Sequence, residues 1–148
     1  MTTIPHIKPL EILLVEDSPV DIRMTQEAFK EAKLLSNLNV VTDGAAAVEF
    51  LRKKGQYREA ARPDLILLDL NLPQKDGRET LKEIKSDAAL KTIPVVVLTT
   101  SDDIDDVKNA YADMANCYIT KPIEFDEFMA VIKRIGDFWL SFVKLPNA

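Results

Sequence analysis

Apolar residues concentrate in three continuous rather than alternating stretches, within EILLVE at 11–16, LILLDL at 65–70 and IPVVVLTT at 93–100, with a shorter run, CYIT, at 117–120. Continuous rather than alternating apolar character is the pattern of parallel strands covered on both faces by helices. A weaker strand is expected at LNVVTD, 38–43. Between these runs the apolar residues recur at helical spacing. Residues 20–33 follow Ser18 as N-cap and Pro19 at the first helical position. Residues 45–54 stop at Gly55, 78–87 start after Gly77, 102–114 open on acids, and 124–143 close the chain. Five strands alternating with five helices predict a doubly wound α/β sandwich around a five-stranded parallel sheet with right-handed crossovers. The segment 55–63 is expected to be a surface loop.

The last helix extends the pattern further than a covering helix needs. Phe125, Phe128, Met129, Ile132, Ile135, Trp139 and Phe142 recur at steps of three or four. A helix over 124–143 is about 30 Å long, roughly the diameter of a small domain. The chain thus divides into an arm at 1–9, a domain at 10–137 and an apolar extension at 138–148. Folding back onto the same domain and pairing with a second copy are both open to that extension; the reading adopted is a homodimer through helix four, strand five and helix five. Trp139, Phe142 and Val143 are then the candidate interface residues.

Composition narrows the chemistry. The chain has 148 residues, is 47% hydrophobic and 29% charged, and carries a net charge of −5. No apolar run has the roughly 18 residues of a membrane span, and the start lacks the features of a secretory leader. A cytoplasmic protein is expected, without nucleic-acid or membrane partners. With one cysteine, Cys117, read as a small buried strand residue, and one histidine, His6, thiolate or imidazole metal sites and Ser-His or Cys-His nucleophiles are excluded. No G-x-G-x-x-G follows the first strand, which disfavours a dinucleotide site.

In such sheets ligands bind beyond the carboxyl ends of the strands. Those ends carry Glu16-Asp17, Asp69, Thr99-Thr100-Ser101 and Lys121-Pro122. Taken singly, Asp17 is a helix cap, Thr99 a strand residue and Lys121 a solvated lysine. Together at one rim they are a phosphoryl-transfer set. Three neighbouring carboxylates call for a cation, and oxygen donors alone point to Mg²⁺. Lysine and hydroxyl stabilise the transferring group, and Asp69 is the nucleophile that becomes an aspartyl phosphate. The acidic run Asp102, Asp103, Asp105 and Asp106 reads as the favourable first turn of helix four.

Glu16-Asp17, LLDLNLP, VVLTT and YITKP, in this order, resemble the receiver domain of two-component response regulators, the CheY-like fold with strand order 2-1-3-4-5. The resemblance spans roughly residues 10 to 135. It implies Asp69 as phosphoacceptor for a histidine kinase, and Mg²⁺ held by Asp17 and Asp69, by Glu16 through water and by the Asn71 carbonyl. It also implies that Thr99 moves toward the phosphoryl group, that Lys121 pairs with it, and that the bond before Pro122 is cis. Tyr118 falls at the aromatic switch position, although an ordinary strand aromatic fits the sequence equally. Asn71 and Ser101 occupy positions that tune acyl-phosphate lifetime. FLRKKGQY, RPDLILLDLNLPQKDGRE, LKTIPVVVLTTS and the apolar tail are similar to the small single-domain regulators paired with bacterial phytochrome kinases. Such a protein is a phosphoacceptor rather than a dedicated enzyme. Its output is expected to be a changed protein-interaction surface, since the last helix and a short tail account for the residues after Pro122. A haloacid-dehalogenase-like phosphatase is the alternative; its second aspartate, the general acid, is replaced here by Asn71.

Overall fold

Three strands buried along nearly their whole length organise the chain: β1 (Leu10–Val15), β3 (Leu65–Leu68) and β4 (Val95–Thr99). The computed structural model describes residues 9–32 and 35–146; His6 and nearly all of the expected 1–9 arm lie outside them. β2 (Ser36–Val41) and β5 (Cys117–Thr120) close the edges, giving one parallel sheet in the order β2-β1-β3-β4-β5. The edge strands are only half-buried. This is why β2 reads weakly in the sequence, and why it starts at Ser36, two residues before the apolar pattern suggests.

Successive strand residues face opposite sides, so the sheet feeds two cores. Leu13, Val15, Ile66, Leu68, Val95 and Val97 meet α2 (Gly44–Leu51), α3 (Gly77–Ser86) and Ala110 of α4 (Ile104–Ala112). Ile12, Leu14, Leu65, Leu67, Val96 and Leu98 meet Ala28 and Phe29 of α1 (Pro19–Glu31) and Phe128, Ile132 and Ile135 of α5 (Phe125–Asp137). Ser18, Asp43, Asp76 and Asp103 each accept a backbone N–H at the start of α1, α2, α3 and α4. All four caps stand on the rim where the strands end, so helix starts and functional loops are set together. Among the described residues no helix is long and apolar enough to cross a membrane.

Two details differ from the sequence pattern. The 55–63 loop contains a 3-10 turn, Gly55–Tyr57, whose tyrosine packs on Phe50. The last helix does not continue as α-helix to residue 143: after Asp137 it widens into a π-turn, Phe138–Phe142. Trp139 and Leu140, with Leu145, pack against the α1–α5 core, while Phe138 and Phe142 remain 53% and 80% exposed. The widened turn brings Trp139 inward at the expense of the straight overhang that the three- and four-residue spacing suggests.

Candidate functional site

Each rim side chain is held by backbone that continues the sheet. The Glu16 N–H donates to the Val41 carbonyl, Asp69 to Val15 and Lys121 to Thr99, at 3.0, 3.0 and 2.7 Å. These bonds bring residues far apart in the chain within reach of one another. A ligand oxygen from each of Glu16, Asp17 and Asp69 lies within 4.8 Å of the others. Glu16 and Asp69 are buried, whereas Asp17 faces solvent.

Asp69 is the centre of the arrangement. Its Oδ1 accepts from the Thr99 hydroxyl at 2.8 Å and from the Asn71 N–H at 3.1 Å, and its Oδ2 accepts from the Lys121 ammonium at 2.9 Å. Burial works to raise its carboxyl, but Lys121, Thr99 and the Asn71 amide outweigh that and hold it below the ordinary carboxylate range. It is therefore ionised at neutral pH, as a nucleophile must be.

Lys121 is nearly sealed from solvent and donates to three carboxylates: Glu16 Oε2 at 2.5 Å, Asp21 Oδ2 at 2.8 Å and Asp69 Oδ2. Burial favours the neutral amine, yet Asp21, Glu16 and Asp69 together hold the ammonium above its ordinary range. Asp21 is a site residue that the sequence pattern does not reveal. It lies one helical turn beyond Asp17, and its partner is 100 positions away.

One ammonium cannot balance Glu16, Asp17, Asp21 and Asp69 at once, and Glu16 carries the deficit. Burial pushes its carboxyl up to about 7 even though Lys121 bonds it. An all-oxygen cluster short of positive charge fits a hard divalent cation, Mg²⁺ or Mn²⁺. The sign of the resulting pH dependence follows. The folded value is above the unfolded one, so Glu16 contributes stability that is complete below about 4.5 and lost as pH rises through 7. A cation entering below pH 7 must displace the Glu16 proton. Calorimetric titration should accordingly show Mg²⁺ affinity falling as pH is lowered from about 8 to about 6; a flat profile would contradict this assignment.

The remaining candidates are placed as follows. Tyr118 is half-buried against the α2–α3 core, and its hydroxyl donates to the Ser101 carbonyl at 2.8 Å. Asp103 caps α4, and Asp106 is engaged by Arg78 and Ser101. The run at 102–106 is thus a helix start, as its acidity suggests, with one member taken up by an ion pair that the pattern does not show. Cys117 is half-buried rather than buried, because β5 is an edge strand. The Lys121–Pro122 bond is trans, since there is no cis peptide among the described residues, contrary to what the family resemblance implies. The trans preference of an X–Pro bond is small, about 0.5–1 kcal/mol, so local packing decides the isomer. Of the interface candidates, Trp139 and Val143 are half-buried and Phe142 is exposed.

A family model for the response regulator receiver domain matches residues 12–133. The response regulator Rcp1 of Synechocystis sp. is 50% identical over 140 residues, 95% of this chain and 95% of that protein. Among solved structures, the phosphorylated cyanobacterial phytochrome response regulator RcpA superposes with a TM-score of 0.90 at 51% identity. That alignment covers 93% of this chain and 99% of RcpA. The Mn²⁺-bound form of Rcp1 gives 0.89 at 50% identity, again over 93% and 99%.

Proposed function

Because this chain belongs to the response regulator receiver family, we propose that it is a phosphorylation-controlled switch in which Asp69 accepts a phosphoryl group from a histidine kinase. The observation that carries this reading is the ionised Asp69 carboxylate, gripped by Lys121 and Thr99 at the edge of the carboxylate trio. An oxygen of Asp69 attacks the phosphorus of a phosphohistidine. The P–N bond breaks, its electron pair stays with the imidazole, and an acyl phosphate forms on Asp69. The Lys121 ammonium and the Thr99 hydroxyl turn from the carboxylate to the new phosphoryl oxygens, which accept the same hydrogen bonds. Glu16, Asp17 and Asp69, with the Asn71 carbonyl, would hold a Mg²⁺ or Mn²⁺ ion, which would supply charge to offset both the carboxylates and the incoming phosphate. Ser101 and Tyr118 carry the change outward, because the Tyr118 hydroxyl holds the carbonyl two residues beyond Thr99.

A phosphatase of the haloacid-dehalogenase type lacks support: position 71 is an amide, and its backbone N–H serves Asp69. The similarity to Rcp1 and RcpA favours a phytochrome-type kinase as the phosphoryl source and a signal read from the receiver's own surface. Phosphotransfer from a panel of radiolabelled histidine kinases tests this. Label should pass fastest from a phytochrome-type kinase to the wild-type chain and not at all to Asp69→Asn. Equal transfer to Asp69→Asn would remove the acceptor, and preference for another kinase would replace the partner.

A second reading concerns assembly. Phe138, exposed, lines an apolar groove of about 600 Å³ with Cys117, Ile119, Val131, Ile135 and Trp139 along the β5–α5 edge, and Phe142 is exposed at the end of the same π-turn. This supports an isologous homodimer across α4, β5 and α5. Sedimentation should show dimer at micromolar concentration and monomer for Phe138→Glu; a strictly monomeric wild type in both phosphorylation states excludes it.

A further inference from the structure

Arg78, in the first turn of α3, bridges two loops that border Asp69. Its Nε and Nη2 donate to Oδ1 and Oδ2 of Asp106, both at 2.9 Å. Its Nη1 donates to the two oxygens of Asp76 at 3.2 Å and to the Leu70 carbonyl, next to the acceptor, at 3.4 Å. On the other side, Asp106 Oδ2 accepts from the Ser101 hydroxyl at 2.6 Å. Ser101 lies two residues beyond Thr99, and its carbonyl is held by Tyr118. The loop after β3 and the loop after β4 are thus joined through one guanidinium and one carboxylate.

The pair is partly exposed, with side-chain accessibilities of 38% and 20%, so its direct worth to stability is small. A two-pronged guanidinium–carboxylate contact nevertheless fixes orientation as well as distance. What it orients is Ser101, and through two peptide bonds Thr99, whose hydroxyl rests on Asp69 at 2.8 Å. The phosphotransfer chemistry described above uses Lys121, Thr99 and the carboxylates, and leaves this bridge without a role.

We infer that Arg78 and Asp106 are positioning residues for phosphoryl acceptance, holding the end of β4 so that Thr99 faces Asp69. The inference rests on the reading of Asp69 as acceptor.

Arg78→Gln and Asp106→Asn remove charges of opposite sign, which separates positioning from a field effect. Phosphorylation by acetyl phosphate with Mg²⁺ is followed by intact mass, below each variant's melting transition and with the fold checked by circular dichroism. Positioning predicts that both variants are slowed by roughly threefold to tenfold, the range in which single contacts modulate coupling. Arg78→Lys, which keeps the charge and loses the fork, should be slowed as well. A charge effect moves the first two variants in opposite directions, and a merely structural bridge lowers melting temperature with rates unchanged; either result overturns the inference. Wild type labelled with all variants matching it defeats this inference alone. An unlabelled wild type defeats the Asp69 reading and this inference with it.

Discussion

Lys121→Met is expected to lose about 3–5 kcal/mol of stability in metal-free buffer, the cost of leaving buried charge without its partner. Methionine keeps the length of the side chain and removes the one ammonium that Glu16, Asp21 and Asp69 share. Those carboxylates then sit together with no counter-charge, and the folded state must protonate some of them or open. Mg²⁺ reverses the loss, because an ion that binds only the folded chain stabilises it by mass action. It should also bind the variant more tightly than wild type, by about tenfold, or 1.4 kcal/mol, since Glu16 and Asp69 no longer have to leave an ammonium. Phosphoryl acceptance moves the other way and falls steeply, for the group that neutralises the incoming phosphate is gone. Urea unfolding with and without Mg²⁺ reads the first two effects. A variant as stable as wild type without metal, or one that Mg²⁺ does not rescue, would contradict the charge balance described for this site.

Gly77→Ala is the second large effect. A methyl group at Gly77 would stand 2.1 Å from the Asp69 carbonyl oxygen and 2.6 Å from the Leu70 Cα. Both are backbone atoms, so no rotamer change relieves the contact. The Gly77 N–H also donates to the Leu70 carbonyl at 2.9 Å, fixing α3 against the strand end that carries the acceptor. The start of α3 must therefore retreat, costing about 3 kcal/mol as severe overpacking does, and the backbone of Asp69 shifts with it. Thermal unfolding should fall well below that of wild type, with phosphoryl acceptance reduced even at temperatures where the variant is folded. Wild-type stability would mean that the packing of α3 on this strand is looser than described.

The three central strands are legible in the chain because both their faces are covered, so nearly every position is apolar, Glu11 and Thr99 apart. β2 and β5, each with a solvent face, leave a fainter trace, and their residues mix polar and apolar types. The rim was legible for the same reason: a carboxylate, hydroxyl or lysine that ends an apolar run stands out against it. Glu16, Asp17, Asp69, Thr99 and Lys121 are all of this kind, and the fold gathers them. Asp21 and Arg78 were not legible. Each lies on a helix among other charged residues, where a solvated role is the ordinary one, and each becomes distinctive only through a partner supplied by another part of the chain. The π-turn at Phe138–Phe142 was hidden because the apolar residues there keep the three- and four-residue spacing of an α-helix; the structure shows the widening, with Trp139 packed against the α1–α5 core.

The central claim is that Asp69 is a phosphoacceptor dependent on a divalent ion, and intact-mass measurement after incubation with acetyl phosphate tests it most directly. Wild type with Mg²⁺ should gain the mass of one phosphoryl group, chelation of the metal should abolish the gain, and Asp69→Asn should show none. An equal gain in Asp69→Asn, or no gain in wild type with Mg²⁺ present, would contradict it.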